Sequence, residues 1–216
     1  MATKKSFNYP GERIDVQWNG HLCIHISECG RAKGELFTGG RTPWCQPDLA
    51  SDEEVEDVVK RCPTGALTYQ YKDGSRKEEA GTTNTVHVAY NGPLYFKGDL
   101  AIEADTSTAP GLAFRAALCR CGQSKNKPYC DNSHEAAGFK DYGAVGDRGG
   151  ELDAAGGKLL IEPLTDGPLL VKGNLTVTSG SGRVAWQGKQ LAMCRCGASE
   201  NKPFCDGQHA AIGFKS

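Results

Sequence analysis

Near the start of the chain apolar and polar positions alternate: Ile14, Val16 and Trp18 are separated by Asp15 and Gln17, and Asn19-Gly20 follows. A period of two predicts a half-buried strand closed by a turn. Leu67, Tyr69 and Tyr71 alternate in the same way. Between these segments Val55, Val58 and Val59 fall on one helical face, and Ser51 and Glu54 have capping-box spacing at its start. A strand, a cysteine-bearing loop, a helix and a second strand make a small α+β unit over residues 8–72. The polar run KDGSRKEEAGTTNT (72–85) breaks the pattern and places a linker at 73–85, with a second unit over 86–216. In that second unit LYFKGDLAI (94–102) and LLVKGNLTV (169–177) read as strands with short turns, and the Gly- and Asp-rich stretch 141–158 reads as a loop.

The second unit repeats itself. Cys119, Cys121, Cys130 and His134 recur 75 residues later as Cys194, Cys196, Cys205 and His209. Upstream, Gly92-Pro93-Leu94 recurs as Gly167-Pro168-Leu169; downstream, Gly138-Phe139-Lys140 recurs as Gly213-Phe214-Lys215. Between Ala117 and Lys140, 16 of 24 positions are identical to their partners, too dense for chance. Repeats 92–140 and 167–215 are too few for a solenoid. A pseudo-twofold pair, equivalent to a homodimer fused into one chain, is the simpler arrangement and predicts a monomer.

Composition sharpens this. A mean hydropathy of −0.47 with 28 glycines allows only a thin core, so small units held by something besides apolar packing are expected. The net charge of −1, with both signs mixed, gives no nucleic-acid footprint. No apolar run approaches the roughly 20 residues that span a bilayer, and the charged N-terminal segment has no apolar stretch behind it to act as a secretory signal. A cytoplasmic protein with no membrane association is the expectation. Ten cysteines in that compartment, at short spacings with His nearby, point to metal rather than disulfides.

In the extended segment Cys119-Arg120-Cys121 the two thiolates point to the same side and can bind one iron. Cys130 and His134 share a face if they open a helix, which Pro128 tolerates at its entry, and can bind a second. Gly122 and Gly197 relieve crowding where backbone runs close to a cluster. A two-iron, two-sulfide core with both irons ferric and three thiolates carries one net negative charge, and a second after reduction. Arg120, Lys127, Arg195 and Lys202 are placed to offset it, or else form ordinary solvated surface. Zinc is the rival: three Cys and one His make a legitimate structural zinc site. Zinc ligand pairs are usually separated by two to four residues, whereas here the first pair is separated by one and the third Cys follows after eight. The spacing favours an iron cluster without excluding zinc.

The run C-R-C-G-x-S-x-N-K-P-x-C-D-x-x-H resembles the signature of the CDGSH iron–sulfur domain family, the mitoNEET-like proteins. Cys119 to Gly122, Ser124, Lys127-Pro128, Cys130-Asp131 and His134 match it, as do Cys194 to Gly197, Ser199, Lys202-Pro203, Cys205-Asp206 and His209. The resemblance spans about residues 88–216. It implies a β-rich fold built from two copies and, in each repeat, a [2Fe–2S] cluster with one iron on two Cys and the other on Cys and His. Asn132 replaces the family's Gly and Gln208 its Ser; neither is a ligand position.

Cys62-Pro63 resembles the closing ligand of bacterial ferredoxins, and Cys23-x5-Cys29 resembles their Cys-x2-Cys-x2-Cys run with Ile26 in place of the middle ligand. The unit over 8–72 thus resembles divergent single-cluster ferredoxins. Three thiolates from Cys23, Cys29 and Cys62 predict a [3Fe–4S] cluster, with [4Fe–4S] as the alternative if Cys45 or His25 supplies a fourth ligand. Cys45 otherwise reads as a small buried hydrophobe, and His25, His21 and His87 as polar surface. The whole chain is then expected to be α+β: a ferredoxin-like unit followed by a β-rich composite domain. No dinucleotide or phosphate-binding loop is present. The expected function is electron relay to a redox partner protein, without a substrate site. Cluster storage or transfer is the alternative, and a zinc-stapled interaction module the alternative of another class.

Overall fold

The computed structural model describes residues 5–104 and 109–216. It is α+β, with the helices short and the C-terminal region rich in strands.

In the N-terminal unit, β1 (Ser6–Tyr9), β2 (Ile14–Asn19) and β3 (Leu67–Tyr71) form an antiparallel sheet in that order. The alternation read from the sequence sets its inner face: Ile14, Val16, Leu67, Tyr69 and Tyr71 are buried. Helix α1 (Asp52–Lys60) covers that face with Val55, Val58 and Val59. Each such side chain taken from water contributes about 2 kcal/mol. Ser51 caps the helix, its Oγ accepting from the Glu54 N–H at 3.2 Å, and Asp52, Glu53 and Glu54 fill the positive first turn.

The second unit is a seven-stranded sheet of β4 (Thr85–Val88), β5 (Leu94–Lys97), β6 (Asp99–Ile102), β7 (Arg115–Leu118), β8 (Lys158–Pro163), β9 (Leu169–Thr178) and β10 (Val184–Met193). The two segments read as equivalent strands differ: Gly98 (φ 150°) divides the first into β5 and β6, while the second runs unbroken as β9. Asn84, buried beside Gly98, accepts from the Asp99 N–H at 3.0 Å and donates to Gly157 O at 2.8 Å and Asn174 O at 3.0 Å. It thereby ties the end of the polar run to both repeats.

The pairings of one repeat recur in the other. β4 pairs with β5 and β5 with β7, just as β8 pairs with β9 and β9 with β10. Each repeat also lends a strand to its partner. β4 pairs in parallel with the far half of β9, matching Thr85 to Thr176; β8 pairs in parallel with β6, matching Leu160 to Ala101. The offset of 75 residues holds through both registers.

The two units are packed together. Leu22 and Ala66 of the first join the apolar core of the second. Arg115 of β7 donates to Leu67 O at 3.1 Å and is ion-paired, buried, with Glu78 in the segment between the units. The backbones of Gly65 and Gly111 lie so close that no side chain fits at either position.

Candidate metal centres

Strand β7 delivers Cys119 and Cys121 onto the loop that follows it. Their sulfurs lie 3.6 Å apart and both residues are buried. A hydrogen bond from Cys121 draws the Cys119 thiol down to about 6 against the cost of burial, with help from the Ser124, Cys121 and Gly122 N–H groups; Cys121 is pushed up in exchange. Cys130 Sγ stands 3.5 Å from His134 Nδ1. Burial pushes the Cys130 thiol up to about 12, and burial together with the Arg120 charge holds the His134 imidazole below its usual range, so the ring is neutral and able to ligate. Thiols this reluctant to ionise suit a cation that takes the proton's place.

In the second repeat, Cys194 and Cys196 sulfurs are 3.6 Å apart and Cys205 Sγ is 3.3 Å from His209 Nδ1. The predicted ligands thus meet as pairs. Among the described residues no three Cys, His, Asp or Glu side chains converge to hold one ion.

The remaining signature residues build the loop. Ser124 Oγ donates to Tyr129 O at 2.6 Å and accepts from the Asn126 N–H at 3.0 Å; Asp131 accepts from the N–H groups of Lys125 (2.8 Å) and Ser133 (3.0 Å). Ser199 and Asp206 repeat these bonds. Lys127 Nζ donates to Ser124 O at 2.9 Å and lies 5.7 Å from the centre of the Phe214 ring, while Lys202 donates to Ser199 O.

Two readings of this region are corrected. Cys130 does not open a helix with His134: α2 (Ser133–Ala136) starts later, and Asn132, left-handed at φ 73°, turns the chain so that the imidazole comes back to the sulfur. Pro128 follows a cis peptide within the loop and opens no helix. Arg120 and Arg195 are not solvated surface either. Arg120, 1% exposed, donates to Gly92 O at 2.7 Å and Ala89 O at 2.6 Å and pairs with Asp141 at 2.6 Å. Arg195 repeats the clamp on Gly167 O, Leu164 O and Ser216 Oγ, and the Cys119 thiolate of the other repeat lies within reach of its charge. The only sequence signal for this role was the presence of the same Arg between both Cys pairs.

The two cluster loops abut. At Gly122 (φ 80°) a Cβ would come 2.5 Å from Cys196 O, and at Gly197 (φ 82°) 2.8 Å from Cys121 O. Their surroundings then diverge: Cys130 and His134 are buried, whereas Cys205 and His209 are half-buried. On the first site Cys130 is covered by Ile24, a residue without a role in the sequence motifs. Ile24 is 5% exposed and packs with Ala117, Cys130 and Tyr95. Burial pushes the Tyr95 phenol up, with the Cys130 and Cys62 thiolates adding to it, which places Tyr95 between the two sites.

In the N-terminal unit, Cys62 follows the end of α1 while Cys23 and Cys29 lie on the loop after β2. All three line one cavity of about 350 Å³, together with Ile26, His25 and Trp44. Burial pushes the Cys29 thiol up to about 11, with Cys62 and Cys23 close enough to add to it. Cys45 does not line this cavity. It sits 1% exposed in the core that holds Leu36 and Val59, and burial pushes its thiol up to about 12. His25 Nδ1 is 3.9 Å from Cys23 Sγ. His21 donates its N–H to Asn19 Oδ1 and offers its carbonyl to Asn126, each at 2.9 Å, and the ring of His87 on β4 meets Thr178 Oγ1 at 3.2 Å.

Thiol-rich pairs and a thiol-lined cavity define an iron–sulfur protein, and comparison with known families agrees. Residues 9–72 match the model described as a divergent 4Fe-4S mono-cluster, and residues 91–135 and 166–210 each match the iron-binding zinc finger of CDGSH type. The N-terminal unit is similar to the uncharacterized protein YjdI of Escherichia coli K12 and of strain O157:H7. Each is 44% identical over 64 residues, covering 30% of this chain and 84% of the relative. No solved structure matches the chain. The chain carries a divergent 4Fe–4S mono-cluster domain at its N-terminus and two CDGSH-type domains after it. No helix among the described residues is long and apolar enough to cross a membrane.

Proposed function

We propose that the chain is a one-electron carrier with three iron–sulfur centres. Cys119, Cys121, Cys130 and His134 would hold one [2Fe–2S] cluster, and Cys194, Cys196, Cys205 and His209 a second. A bound [2Fe–2S] cluster takes up and returns one electron. The observation that carries this reading is the separation of the donors into a Cys–Cys pair and a Cys–His pair in each repeat. One zinc ion needs all four donors around a single point, while two irons need two donors each. The matching registers of the repeats support a pseudo-twofold composite domain within a monomer.

Cys23, Cys29 and Cys62 would hold the third centre, in a ferredoxin-like unit. Three thiolates with Ile26 on the cavity wall favour [3Fe–4S]. A second reading, [4Fe–4S], draws on His25, which lines the same cavity beside Cys23, and on the four-iron family that the unit matches. The close packing of Ile24 against Cys130, and of the Gly122 and Gly197 loops against each other, supports a relay. A protein partner in the same compartment, expected to be the cytoplasm, would supply and collect the electron.

Anaerobically purified protein should be coloured, contain acid-labile sulfide and give S = 1/2 signals of reduced two-iron clusters by EPR. Colourless protein with zinc and no sulfide would overturn the reading. Oxidised protein should give the near-isotropic three-iron signal; Ile26→Cys should abolish it and give a four-iron cluster, and Cys45→Ala should leave it unchanged. Oxidised wild type without that signal, together with loss of iron in Cys45→Ala or His25→Ala, would refute the three-iron form.

A further inference from the structure

We propose that the two CDGSH sites are unequal in access: Ile24 plugs the Cys–His edge of the first, and the open Cys205–His209 edge of the second is where a chelator or thiol-bearing acceptor from solution reaches the chain. The inference rests on the cluster assignment above and goes beyond it, because the two motifs carry the same ligand residues.

The asymmetry has a simple origin. The N-terminal unit occurs once and packs on one repeat. Ile24 covers Cys130 together with Tyr95 and Ala117. Leu170, Ala192 and Cys205 occupy the corresponding positions of the second repeat, and among the described residues no apolar cluster takes in Cys205. A tether reinforces the plug: Asn126 Nδ2 donates to His21 O at 2.9 Å, binding the first cluster loop to the loop that bears Ile24. Its counterpart Asn201 is exposed; its N–H donates to Ser199 Oγ at 3.1 Å, its carbonyl accepts from the Phe204 N–H at 2.9 Å, and among the described residues its side chain makes no tether like that of Asn126. His134 is 9% exposed; His209 is half-buried, and Ile212, one turn further on, is 53% exposed. Exchange of a ligand at the imidazole side requires an incoming donor to approach that edge. In the first site the N-terminal loop must first move aside; in the second it need not.

The test follows visible absorbance of the anaerobic holoprotein in excess EDTA, with iron and sulfide measured before and after. Two phases are expected from the CDGSH clusters. His209→Cys should slow the fast phase alone, and His134→Cys the slow phase alone. Ile24→Ala should speed the slow phase by about tenfold and leave the fast one unchanged. Asn126→Ala removes the tether without opening the core and should act in the same direction more weakly, so it decides the matter if Ile24→Ala loses its fold. A single phase, or equal acceleration of both phases by these variants, would overturn the asymmetry. Protein without sulfide would overturn the cluster assignment and this inference together, and the sulfide analysis tells the two failures apart.

Discussion

The two CDGSH repeats share their ligand residues, their loop-building Ser and Asp and their buried Arg, yet one Cys–His edge is covered and the other open. The difference teaches that a metal-site motif specifies its donors and the loop that presents them, while the exposure of those donors is decided by whatever else packs nearby. Here that is a single apolar side chain from a unit with its own centre.

The comparison can be broken first at the arginine clamps. Arg120→Ala leaves Asp141 and two carbonyls in a buried setting, and should cost about 3–5 kcal/mol. Arg195→Ala should cost clearly less, because its clamp ends on the Ser216 hydroxyl rather than on an Asp carboxylate. Urea denaturation of both holoproteins measures the gap; equal losses would mean that the carboxylate adds nothing to the first clamp.

The glycine contacts sharpen the comparison from the other side, since there the repeats are equivalent. Gly122→Ala and Gly197→Ala each force a left-handed residue against the backbone of the opposite loop, at about 2–4 kcal/mol. Thermal melts should place the two variants close together. A large gap between them would show that the two loops do not support each other equally.

The smallest effect lies in the unit that carries the plug. Glu56 is partly desolvated, which raises its pKa, but bonds from Lys60 (2.6 Å) and Tyr71 (2.9 Å) outweigh this and hold the carboxyl below its usual range. A lowered folded-state pKa gives stability that is present above the unfolded value and lost as pH falls through the folded one. Glu56→Gln should therefore cost below about 1 kcal/mol at pH near 7 and still less in acid. Urea melts at the two pH values check this; a cost that grows on acidification would reverse the sign.

Much of this was legible beforehand. Strands β2 and β3 and helix α1 announce themselves through Ile14, Leu67 and Val55 because their periods are local. The donors of both repeats could be found because duplication prints them twice. The Arg clamps, the division at Gly98 and the place of Ile24 were not legible. Each depends on a partner far along the chain: Arg120 on Ala89 and Asp141, Gly98 on Asn84, Ile24 on Cys130. The shared helix face assigned to Cys130 and His134 failed for a related reason, since i,i+4 spacing also fits a turn that a left-handed Asn132 folds back on itself.

The exchange of strands between repeats bears on how the protein comes into being. A ribosome that has passed His134 has made the Cys and His residues of the first repeat, but β4 still lacks its parallel neighbour on β9 and β6 has yet to meet β8. Open strand edges persist until the second repeat arrives. The nascent first half is thus an unfinished sheet. A chain truncated at residue 157 has no second repeat to complete it, and can close its sheet only by borrowing strands from another copy of itself.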